Sequence, residues 1–203
     1  MAQTFAELRP ALREATKAAH HRLDHHPLMS PLVRGELTAR TYGDALLGLH
    51  GFHAPTELAC ASVRPEDAPP RRSEWLAEDL RRLGRNDDLS APDFPRWTGR
   101  APTSTAEYVG MRYVIEGSVL GGRALLPSLR ERLPAACRTV TAFFDGQQDA
   151  TRWEAFWAMA DRLAPFDPAM AIAAAVGFFA EIEALADRQT TWLVARAIPS
   201  SGW

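Results

Sequence analysis

Apolar residues along this chain return every three or four positions, and no stretch shows the period of two that a half-buried strand requires. Over roughly residues 5 to 24, Leu12, Ala15, Ala19 and Leu23 form one stripe, which predicts a first helix stopping near His26-Pro27. A second runs from about Leu37 through Tyr42, Leu46, Leu49 and Phe52 to Leu58. Pro65, Pro69 and Pro70 break the pattern, and Ser73 to Leu83 reads as a short helix. The stretch Gly84 to Pro102, with Asn86-Asp87-Asp88 and its prolines, is expected to be a surface connection. Ser104-x-x-Glu107 then forms a capping box, in which each side chain takes the other residue's free backbone N–H, and opens a long helix. Shorter helical pieces flank Pro134, another helix covers Thr151 to Leu163, and the last covers about Pro168 to Trp192. With no internal repeat, the pattern predicts an all-α fold in which residues 1–203 form a single domain.

A chain of 203 residues that is 46% apolar can fill one core. Twenty-three Lys and Arg against 25 Asp and Glu leave a formal charge of −2, and no basic block tracks a phosphate backbone, so nucleic acid is not an expected partner. Two cysteines without a CxxC, no signal-peptide pattern and no apolar run judged long enough to cross a bilayer point to a reducing cytoplasm and no membrane. Lys17 is the sole lysine among the basic residues, a bias that fits a GC-rich bacterial genome. The terminal Trp203 reads as exposed, with no role assigned to it.

Two groups of residues carry chemistry. Gly117, Gly121 and Gly122 fall inside a helical pattern, where each interior glycine costs about 1 kcal/mol relative to alanine. Either a tight helix crossing or close backbone approach to a flat ligand would compensate. All six histidines lie between residues 20 and 53. His21 and His25 are one helical turn apart, as are His50 and His53, yet no cysteine or second histidine motif completes a closed zinc or di-iron site. The spacing makes His21, His25 and His26 solvated helix-end residues, with His25 and His26 suited to the negative end of a helix dipole. His50 and His53 read as core or boundary side chains. Arg13, Lys17, His20 and Asp24 align along one side of the first helix, next to its apolar stripe.

The run Leu12-Arg-Glu-Ala-Thr-Lys-Ala-Ala-His20-His-Arg-Leu-Asp24 resembles the proximal helix of heme oxygenases, whose histidine binds heme iron. Glu116-Gly117-Ser118-Val-Leu-Gly121-Gly122 resembles that family's distal helix, in the form of the bacterial branch that makes biliverdin for bacteriophytochromes. Phe143-Phe144 and the last helix, ending Glu181-Ile-Glu-Ala-Leu-Ala, fit the same order, so the likeness spans most of the chain. It implies heme b as both cofactor and substrate, His20 as the axial ligand, and Asp24 biasing the hydrogen bonding there. Gly117 and Gly121, with Gly122 beside them, would let the distal backbone lie close to the heme and tip dioxygen toward a meso carbon, giving biliverdin, carbon monoxide and ferrous iron. Arg13 and Arg112 match positions from which the family binds propionates.

Two departures stand out. Animal members carry an aspartate where this chain has Ser118, which can bind a water but cannot carry charge. On the helix around Trp153, Glu154 and Ala158 occupy positions where relatives supply basic contacts, leaving Arg152 and Arg162 as substitutes. Three readings remain: a heme-cleaving monooxygenase, a heme carrier or sensor without turnover, and a non-heme iron enzyme using His53, Glu57 and Glu116. The first is preferred. It requires electrons from an external ferredoxin or reductase, because the chain has no nucleotide-binding fingerprint, and the resemblance offers a bacteriophytochrome as receiver of biliverdin.

Overall fold

The computed structural model describes residues 5–197, so Trp203 lies outside the described residues. Among them the helices are α1 (Phe5–His25), α2 (Ser30–Val33), α3 (Ala39–Val63), α4 (Arg72–Arg82), α5 (Asn86–Ser90), α6 (Thr105–Arg132), α7 (Ala142–Asp145), α8 (Arg152–Arg162) and α9 (Pro168–Ala197), and no strand is present. The long ones start within about two residues of their expected positions, but α3 and α9 run five residues past the expected ends at Leu58 and Trp192, and α6 passes through Pro127 to absorb the shorter piece expected before Pro134. Thr38 opens α3 with a reciprocal cap, its hydroxyl accepting from Thr41 N at 3.1 Å while Thr38 N donates to the Thr41 hydroxyl at 3.0 Å.

Ser104 caps α6 as expected, its Oγ accepting from Glu107 N at 3.1 Å. The return half of the box is displaced by one residue. Glu107 Oε2 accepts from Thr103 N at 2.7 Å, and its carboxylate also pairs with Arg100. That guanidinium holds the Glu107 carboxyl down at about 2.

Long helices α1, α6 and α9 frame the molecule. α1 and α9 run parallel: Arg22 pairs with Glu183 at 2.9 Å and, one turn on, His26 with Asp187 at 3.3 Å. α6 crosses α9 at Gly110, where an added Cβ would press on the Ala171 carbonyl oxygen and lie 3.0 Å from Ala175 N. The tight crossing considered for the later glycines is therefore real, but it occurs about two to three turns earlier.

Two apolar clusters fill the interior. One joins Leu8 and Leu12 of α1 to Tyr113, Phe156, Trp157 and Phe178. The other joins Tyr42, Leu46, Leu76, Leu80, Leu129 and Phe144. Burying some ten such side chains at about 1.5–3 kcal/mol each supplies the driving force for docking these helices.

Two expectations require correction. The connection from Gly84 to Pro102 contains α5, and it is not confined to the surface: Phe94 and Trp97 are buried, and Trp97 donates from Nε1 to Glu181 Oε2 at 2.6 Å. An aromatic in a loop that finds both an apolar seat and a carboxylate acceptor is drawn inward. Second, α9 is long and apolar enough to cross a bilayer by length and composition alone. About a third of its most apolar stretch is buried, against α1 and α6 among others.

Candidate functional site

A cavity of about 880 Å³ opens between α1 and α6, with α3, α8 and α9 closing its other sides. This volume lies at the upper end of what small-molecule sites use. Its α1 wall carries Arg9, Arg13, Thr16, His20 and Asp24; its α6 wall carries Tyr113, Gly117, Ser118, Gly121 and Gly122. Phe52, Phe179 and Leu185 make much of the remainder apolar.

His20 keeps about half of its side chain exposed, with the ring edge-on to Phe179 at 6.2 Å. Its Nδ1 lies 3.1 Å from Asp24 Oδ2. An ionised carboxylate can only accept, so this contact places the hydrogen on Nδ1 and leaves the Nε2 lone pair free for a metal. The helical spacing of four residues is what makes the pair possible.

The opposite wall is bare backbone. An added Cβ at Gly117 or at Gly121 would meet nothing within 4 Å, so both glycines border open space. Gly122 is different: a Cβ there would lie 2.7 Å from Gln147 Oε1, and Gln147 is fully buried. Of the three glycines, two leave room in the cavity and one makes room for a glutamine behind the helix. Ser118 donates its hydroxyl hydrogen to Ile115 O at 2.7 Å, so only its lone pairs are left to hold a water.

The arginines sort themselves clearly. Arg13 lines the cavity. Arg112 does not: its guanidinium is buried, donating to Tyr108 Oη and Glu116 Oε1 at 2.9 Å each and to the Asp67 carbonyl. Arg152 stacks over Trp75 and pairs with Asp149, and Arg162 pairs with Asp67, so neither reaches the cavity. The second cavity cation is Arg9, which lies over Trp153 and Trp157 at 5.8 and 5.5 Å and pairs with Glu154 at 3.3 Å. It stands one turn before Arg13, a spacing legible in the sequence and overlooked there.

His53 is the other residue whose part the sequence understated. It is fully buried, as expected of a core residue, but it also lines the cavity, and neither ring nitrogen has a hydrogen-bond partner. Burial holds its imidazole well below the ordinary range, with the Arg72 charge adding to the effect. Its Nδ1 is 3.6 Å from Glu57 Oε1. Glu57 accepts from Ser73 Oγ at 2.5 Å, and burial raises its carboxyl to about 7.

Glu116, by contrast, is held by Arg72 at 2.6 Å and by Arg112 at 2.9 Å. Its carboxylate is committed to two guanidiniums. Among the described residues no group of three or more His, Cys, Asp or Glu side chains is placed to hold a metal ion.

A family model described as heme oxygenase matches residues 6–179. A heme oxygenase from Xanthomonas campestris pv. campestris (strain 8004) is 32% identical over 140 residues, covering 66% of this chain and 81% of the relative. No solved structure matches.

Proposed function

Because the chain belongs to the heme oxygenase family and is an enzyme of that type, with heme as the implied substrate, we propose that the cavity between α1 and α6 takes heme b with His20 Nε2 on the iron. The observation that carries this reading is the pairing of one metal-ready imidazole with a facing helix that presents two glycines to open space. The slot's residues fit the group: an apolar interior for the macrocycle and two guanidiniums, Arg9 and Arg13, for the propionates. Arg112 has no part in this contact.

Bound heme supplies the iron at which dioxygen is activated, and its ring is the substrate opened to biliverdin with release of carbon monoxide and ferrous iron. The chain's own residues orient and hydrate. Asp24 fixes the His20 tautomer and ring direction through Nδ1. Gly117 and Gly121 let α6 backbone lie against the ligand face, where a side chain would fill the space. Ser118 accepts one hydrogen bond from a water at that face.

No carboxylate follows Gly117, so the proton must come from elsewhere. The unpartnered His53 and the Glu57 carboxyl beside it are placed to hold water and to pass a proton from Glu57 toward the cavity through the imidazole. Electrons come from an external ferredoxin or reductase, and a bacteriophytochrome is a fitting receiver for the product.

The test is aerobic turnover of the hemin-loaded protein with ferredoxin and its reductase. Decay of the Soret band into broad red absorption, with carbon monoxide trapped by reduced myoglobin, supports the enzyme. A stable band under the same electron supply contradicts it and leaves a heme carrier. In His53→Phe the decay is expected to slow roughly a hundredfold, the scale of general acid–base assistance, with hemin still bound.

A further inference from the structure

His21 and His25 stand outside the proposed heme site, since neither lines the cavity. Both are exposed, and they lie one turn apart at the end of α1 with ring centroids 4.1 Å apart. Two histidines at this spacing place both imidazoles on one helix face, where a single ion can reach both.

The hydrogen bonding decides which nitrogen is available. His25 Nδ1 lies 2.8 Å from the His21 carbonyl oxygen. A carbonyl only accepts, so the hydrogen sits on Nδ1 and the lone pair on Nε2. The competing contact is Arg34 Nη2, 3.3 Å from the same Nδ1. A guanidinium only donates, and would need the lone pair there instead. That arrangement would set two acceptors against each other at 2.8 Å, so the shorter contact governs. Arg34 has its own acceptor in the Asp24 carbonyl at 3.1 Å.

We propose that His21 and His25 form a surface chelate for a divalent first-row transition ion, bound through the two Nε2 atoms with water completing the coordination. The rings are stacked, 30° from parallel, so a turn of the His21 ring about χ2 must aim its Nε2 toward that of His25, whose own ring stays held by the His21 carbonyl. For exposed side chains that broad torsion is soft. Imidazole pairs suit borderline ions, and the order of affinity is Cu²⁺ first, then Zn²⁺ and Ni²⁺, with Fe²⁺ weaker. Two protein ligands make an open site, exchangeable rather than structural. The nearby Arg34 charge opposes a cation, so this residue sets the affinity downward.

The proposal is tested by calorimetric titration of the full chain, carrying no added histidine tag, with Cu²⁺, followed by electron paramagnetic resonance. One equivalent of Cu²⁺ with two coordinated imidazole nitrogens is expected. Either His21→Ala or His25→Ala should weaken it at least about tenfold and leave a one-nitrogen signal, while His26→Ala and His20→Ala leave it unchanged. Arg34→Gln should tighten it several-fold, a gain that no loss of folding could mimic. An equivalent that survives both His21→Ala and His25→Ala overturns the site, as does one that disappears with His20→Ala, which would place the ion in the cavity.

Discussion

Replacing Gly117 by alanine separates packing from ligand approach. The residue lies well inside the 28-residue helix α6, and a Cβ built on it touches nothing within 4 Å. With no clash, only the backbone entropy of glycine is removed, which stabilises a helix interior by about 0.5–1 kcal/mol. For a chain of this size that corresponds to a rise in Tm of about 1–4 °C in the ligand-free protein. The new methyl occupies the space the proposed heme face needs. Overpacking of a fitted site costs about 1–3 kcal/mol, so the hemin Kd should weaken by roughly fivefold to a hundredfold. Thermal unfolding by circular dichroism and absorption titration with hemin measure the two effects on one preparation. Gly110→Ala is the control, since its Cβ would press on α9 backbone and should lower Tm. A lower Tm for Gly117→Ala would refute the reasoning, because it would mean the glycine serves helix packing. Unchanged hemin affinity would refute the other half.

Three further outcomes follow from the buried polar groups. Glu116→Ala strands Arg72 and Arg112 in the interior without their shared carboxylate, so the urea midpoint should fall by the equivalent of about 3–5 kcal/mol; a loss under 1 kcal/mol (roughly the value of an exposed pair) would show that water reaches these groups. Glu57 has its carboxyl raised from 4.5 to about 7 in the folded chain, so its favourable contribution is complete below pH 4.5 and is lost as pH rises through 7. Glu57→Gln should therefore resist urea better than the parent at about pH 8.5 and not at about pH 5, and parallel stability profiles would contradict the assignment. Gly122→Ala drives a methyl into the buried Gln147 amide and should destabilise by about 1–3 kcal/mol before the helix gain is subtracted, with Gln147→Ala in the same chain recovering part of the loss.

The long helices were legible in the sequence because local rules determine them. The α1 stripe, the Ser104 cap and the proline breaks depend on residues within a few positions of one another. His20 with Asp24, and the glycine run, could be found for the same reason: helical spacing alone sets which side chains share a wall. The arginines were harder. Arg13 and Arg112 look equivalent as residues on helix faces, but the partners that divide them come from elsewhere in the chain. Arg112 is held partly by the Asp67 carbonyl, 45 residues away, with Tyr108 and Glu116 on its own helix. His53 was hidden in the same way. Its spacing marks it as core, and only the approach of α1, α6 and α9 turns one flank of that core into a cavity. The span of the apolar stretch in α9 is not legible residue by residue, because alanines and a glycine are each weakly apolar and add up only over a window of 18 residues.

The central claim, that His20 holds heme iron against a glycine-walled slot, is tested most directly by absorption titration with hemin. Wild-type protein should give a one-to-one Soret transition. His20→Ala should lose the six-coordinate or five-coordinate histidine signature, and added imidazole should restore it by filling the place of the missing ring, as the intact Arg9, Arg13 and α6 wall would still hold the macrocycle. If His20→Ala binds hemin with the parent's spectrum and affinity, the iron is held elsewhere and the account fails.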